Sequence, residues 1–104
     1  ILHQLGRYKE ALSAYEQALR LDPKSIATYE GKGNALLNLN RDQEALAIFE
    51  QIIFLDQENV DAHKSKGNLL EKLKRPEEAL EAYDKIREIQ GRLDEFTLDP
   101  EDAI

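Results

Sequence analysis

The feature that most narrows what this chain can fold into is a self-similarity of 34 residues that runs through nearly all of it. Glu10-Ala11-Leu12, Glu44-Ala45-Leu46 and Glu78-Ala79-Leu80 recur at that interval, and so do Tyr15, Phe49 and Tyr83. The same offset joins Leu2, Leu36 and Leu70, then Leu5, Leu39 and Leu73, then Arg7, Arg41 and Arg75, and finally Leu21, Leu55 and Ile89. A repeat of this length is one supersecondary unit, too small to cover its own apolar face. Neighbouring units must therefore stack and share a core.

Within each unit the apolar residues fall at helical intervals, as in Leu12, Tyr15 and Leu19 or Leu46, Phe49 and Ile53, and no segment alternates as a strand would. Turn residues break the pattern at Gly6-Arg7, Asn40-Arg41-Asp42 and Lys74-Arg75-Pro76. A second set of breaks falls at Asp22-Pro23-Lys24-Ser25 and Asp56-Gln57-Glu58-Asn59, where Ser25 and Asn59 are suited to cap the next helix. The pattern predicts helices over about 8–21, 25–38, 42–55, 59–73 and 76–90. Small residues let such helices approach: Gly33 and Gly67 in the first helix of a unit, Ala45 and Ala79 in the second. Four segments are expected: the rear part of a truncated unit over 1–24, full units over 25–58 and 59–91, and an acidic C-terminal cap or linker over 92–104.

Charge and composition limit the function classes. The formal charge of −7 would repel a phosphate backbone, so no nucleic-acid partner is expected, and no apolar run is long enough to imply a membrane. With no cysteine there is no disulfide framework and no thiolate metal site, so a reducing, cytoplasmic setting is expected. The chain opens at Ile1 in mid-pattern, so its natural start and any targeting signal are expected to lie elsewhere.

No residue cluster calls for chemistry. His3 and His63 have no second metal-ligating residue three or four positions away, and His63 has a packing place to fill. Glu77, Glu78 and Glu81 open a helix, where acids favour the positive end of the dipole. Ser13, Ser25 and Ser65 lie in no nucleophile motif, and no glycine precedes the Lys-Ser or Lys-Thr pair of a phosphate loop. No enzyme activity, cofactor or metal is expected.

These residues resemble the tetratricopeptide-repeat family, whose 34-residue unit carries an aromatic, a leucine-glycine pair, an alanine, an aromatic and a closing proline. Tyr29, Gly33, Leu36, Ala45 and Phe49 match in one unit, Gly67, Leu70, Ala79 and Tyr83 in the next, and Gly6, Tyr8, Ala11, Tyr15, Ala18 and Leu21-Asp22-Pro23 in the leading part. Lys32 and Lys66 depart from the family's leucine and give a Lys-Gly variant. Ile52 and Ile86 replace a small alanine, His63 replaces an aromatic, Gln57 and Gly91 stand at the proline position, and the next Leu-Asp-Pro comes late, at Leu98 to Pro100.

The resemblance implies an all-α, right-handed superhelical solenoid of antiparallel helix hairpins. It also implies a protein-interaction scaffold that holds a peptide or partner helix in a concave groove. Carried over by position, the groove residues are Ala27, Glu30, Gly31, Asn34, Leu37 and Asn38, then Asp61, Lys64, Ser65, Asn68, Glu71 and Lys72. Of these Glu30, Asn34, Asn38, Lys64, Asn68 and Glu71 are the expected partner contacts, led by the two asparagines, whose amides suit an unpaired peptide group. Glu30 and Asp61 stand where chaperone-binding members carry lysines, so an acidic chaperone tail is not the expected ligand. The alternative is a structural spacer or self-assembly segment. Because Ile1 to Leu5 is only a stub, Leu12, Tyr15 and Leu19 are expected to lie uncovered and to drive homo-oligomerisation through the N-terminal hairpin.

Overall fold

Two kinds of turn connect the helices, and each recurs with its atomic detail one repeat later. The computed structural model describes the backbone of residues 2–97 and the side chains of residues 6–92. It comprises α1 (Leu2–Leu21), α2 (Ile26–Asn38), α3 (Asp42–Leu55), α4 (Val60–Lys72) and α5 (Pro76–Thr97). After α2 the chain reverses at Asn40 and after α4 at Lys74, with φ of 59° and 62°. At the first reversal the N–H of Arg41 bonds the Leu36 carbonyl and that of Asn40 the Leu37 carbonyl. Arg75 with Leu70, and Lys74 with Glu71, repeat the pair. This pairing satisfies carbonyls that a helix end leaves orphaned and folds the chain back on itself.

The other turn is held by an aspartate. Asp22 accepts the Lys24 N–H and Asp56 the Glu58 N–H, each at 3.2 Å. Ser25 then caps α2 through the Thr28 N–H at 3.3 Å, and Asn59 caps α4 through the Ala62 N–H at 2.9 Å. Pro23 and Gln57 occupy the same place in the two turns, so the proline is dispensable to the shape. Tyr29 donates its hydroxyl to the Pro23 carbonyl at 3.0 Å, and His63 Nε2 makes the corresponding bond to the Gln57 carbonyl at 2.9 Å. A carbonyl only accepts, so Nε2 carries the proton. Buried His63 thus takes the aromatic's place in packing and in hydrogen bonding alike.

Among the described residues, helix backbones approach one another closely only between chain neighbours, which gives an elongated stack of 59 × 34 × 22 Å. Leu36, Ile52, Leu70 and Ile89 are its most completely buried large side chains. Close approach is built on missing side chains: a Cβ at Gly33 would stand 3.0 Å from the Phe49 ring, and one at Gly67 would stand 2.6 Å from the Tyr83 ring. Ala45 is fully enclosed. The fold is the expected all-α solenoid of helix hairpins.

Three expectations fail locally. The break at Gly6-Arg7 is absent: α1 runs through Gly6, which does not adopt the positive φ of its repeat mates Asn40 and Lys74. At the other end α5 passes Gly91 and is described as far as Thr97. The remainder of the expected cap, 98–104, lies outside the described residues. Finally, Leu12 is only 6% exposed, and Tyr15 and Leu19 are half-buried, because α2 covers them. Among the described residues the strongly exposed leucines are Leu21 at 90% and Leu80 at 55%, whereas Leu46, the repeat mate of Leu80, is 4% exposed. No helix among the described residues is long and apolar enough to cross a membrane.

Candidate partner-binding groove

The caps at Ser25 and Asn59 start α2 and α4 in the same register, and Glu30 and Asn34 of the one helix line a common groove with Asp61 and Ser65 of the other. One cavity of about 150 Å³ lies there, walled by Glu30 and Asn34 of α2 and by Asp61 and Ser65 of α4. Phe49, Ile52 and Ala62 complete its lining. Ile52, the residue that stands where the family has a small alanine, is wholly buried and fills the space beneath the groove. A second cavity of about 180 Å³ adjoins it through Ser65 and is lined further by Leu37, Asn68, Leu69 and Lys72.

Of the six expected contacts, Glu30 and Asn34 line the first cavity and Asn68 the second. Asn38, Lys64 and Glu71 are exposed and line neither. Asn38 donates its side-chain amide to the Asn34 backbone carbonyl at 2.9 Å. Gly31 is covered by the Tyr15 ring, 2.6 Å from where a Cβ would stand. Lys72 is engaged by Asp42 of α3 at 3.2 Å.

The two asparagines are not equivalent. Tyr83 of α5 donates its hydroxyl to Asn68 Oδ1 at 2.6 Å, whereas the repeat mate of Tyr83 is Phe49, which has no hydroxyl to give. Among the described residues the Asn34 side-chain amide makes no hydrogen bond. It is therefore wholly available to donate and accept, while the Asn68 oxygen already has one of its two lone pairs engaged by Tyr83. Partial burial, and then the neighbouring Glu71 carboxylate, hold the Tyr83 phenol above its ordinary pKa. Comparing Phe49 with Tyr83 at the 34-residue offset is the sequence signal that separates the two sites.

A larger hollow of about 350 Å³ opens between α3, α4 and α5, lined by Glu50, Ile53, Phe54, Gln57, His63, Lys66 and Lys85. Phe54 is strongly exposed there, but the rim mixes both charges and Lys85 is paired with Glu88 at 3.5 Å. Among the described residues no three histidines or carboxylates converge as a metal site would require.

A family model described as tetratricopeptide repeat matches residues 2–69, and a second of the same description matches 61–92. No curated protein matches the chain. Among solved structures it is similar to MamA AMB-1, with 27% identity and a TM-score of 0.73, covering 83% of this chain and 51% of that one. MamA MSR-1 gives 26% identity and a TM-score of 0.76 over 86% and 51%. A MamA RS-1 double mutant, at 21% identity and a TM-score of 0.81 over 90% and 53%, shares the fold. The chain spans about half the length of these MamA structures.

Proposed function

Since the chain belongs to the tetratricopeptide-repeat family, a family of protein-interaction scaffolds, we propose that it receives an extended peptide or a partner's helix in the groove between α2 and α4. In this reading the units over 25–58 and 59–91 supply the two walls, and no reaction is catalysed. The observation that supports it most is the exposed Asn34 amide, which makes no hydrogen bond and stands at the wall of a cavity with an apolar floor. Such an arrangement suits a ligand whose backbone still has donors and acceptors to satisfy, because an amide can meet both.

Replacing Asn34 and Asn68 together by alanine is expected to weaken a peptide selected on the wild-type protein by about 1–3 kcal/mol, the cost of stranding polar partners at a binding surface. Isothermal titration calorimetry reads the loss, with circular dichroism confirming intact helices. An unchanged affinity would remove the groove from the proposal.

A further inference from the structure

We infer that the groove is built for an extended peptide that places a lysine or arginine side chain between Glu30 and Asp61 and an aliphatic side chain over Leu37 and Leu69. This rests on the groove reading and adds the chemistry of the occupant. Glu30 and Asp61 face the same cavity from opposite helices, and no cation lines it. Neither carboxylate is in an ion pair among the described residues, although six such pairs form elsewhere on the surface. The two walls therefore present uncompensated negative charge above Phe49 and Ile52, a floor that can also take the methylene stem of a long cationic side chain.

The neighbouring cavity has the opposite character. Its leucines offer apolar contact, its lysine is already compensated by Asp42, and its asparagine presents the amide N–H groups while Tyr83 engages one side of the oxygen. A main-chain carbonyl is the partner such a donor suits. From the first cavity to the second the lining moves along α4 by about six residues, roughly 9 Å at the helical rise. An extended chain in polyproline-II geometry covers that distance in three residues and brings the third side chain back to the same face. The occupant is thus a short polyproline-II segment with a basic side chain and an aliphatic one at that separation, lying along α4.

The test uses three fluorescein-labelled nonapeptides with a common Ser/Gln/Ala background. One carries Arg three residues before Leu, one Gln and one Glu in place of the Arg, and binding is followed by fluorescence anisotropy. The Arg peptide is expected to bind about tenfold tighter than the Gln peptide at low salt and to lose the advantage as salt rises. Glu30→Gln with Asp61→Asn is expected to abolish the preference. Glu10→Gln with Glu16→Gln removes the same charge from α1 and is expected to leave it. Equal loss in both double variants would show general attraction to an acidic protein and overturn the inference, as would failure of the Arg peptide to bind at millimolar concentration. If all three peptides bind alike and all weaken in the Asn34→Ala, Asn68→Ala variant, the groove stands and the basic occupant falls. Binding that no groove substitution changes would remove both.

Discussion

Lys74 holds a backbone conformation that costs an L-residue roughly 1–2 kcal/mol relative to the right-handed region. It is exposed, so little packing offsets the cost. Lys74→Gly is therefore expected to stabilise the protein by about 1 kcal/mol, roughly 4–8 °C in thermal melting for a domain of this size. Asn40→Gly should gain less, because asparagine tolerates the left-handed region better. A lower melting temperature for Lys74→Gly would mean that its side chain makes a contact the stack needs. Residue identities at the turns were largely readable from the sequence: Ser25 and Asn59 cap as expected, and His63 fills an aromatic's place. What composition and period could not show is the bond from His63 to the Gln57 carbonyl, since nothing in a histidine says which ring nitrogen finds an acceptor.

Among the elements, the second helix of each hairpin depends on a small side chain at one position. Ala45 is 0% exposed on α3, so Ala45→Leu is expected to destabilise by about 1–3 kcal/mol through overpacking. Chemical denaturation measures it directly, and a midpoint that does not fall would mean that the neighbouring side chains yield at no cost. Five helices were legible because apolar spacing repeats over many turns, whereas their outer ends were not. Gly6 and Gly91 look like stop signals, yet α1 and α5 run through them, and neither takes the positive φ by which a glycine ends a helix.

Over the described residues, exposed Leu21 on α1 and Leu80 on α5 leave apolar surface at both ends of the described stack. Two- or few-copy association at high concentration is the expected outcome, strengthened by salt, because a formal charge of −7 on each copy opposes contact. Light scattering across concentration and ionic strength checks this. A particle that stays monomeric throughout would show those leucines to be harmless. The groove was half legible at this scale. Repeat spacing brought Glu30, Asn34, Asp61 and Ser65 to one cavity, but treated Asn34 and Asn68 alike. Their difference arises on α5, in a hydroxyl that no inspection of α2 and α4 reveals.

Among the described residues every close helix contact joins elements adjacent in the chain, and this bears on how the molecule forms as well as on how it stands. No distant segments must first find each other, so the entropy of closing long loops never enters the barrier, and assembly can begin at any hairpin and spread outward. The same locality removes any single keystone. Denaturation need not be one event: a terminal helix can peel away while the middle of the array persists, and resistance to hydrogen exchange should be greatest around α3 and decline toward α1 and α5.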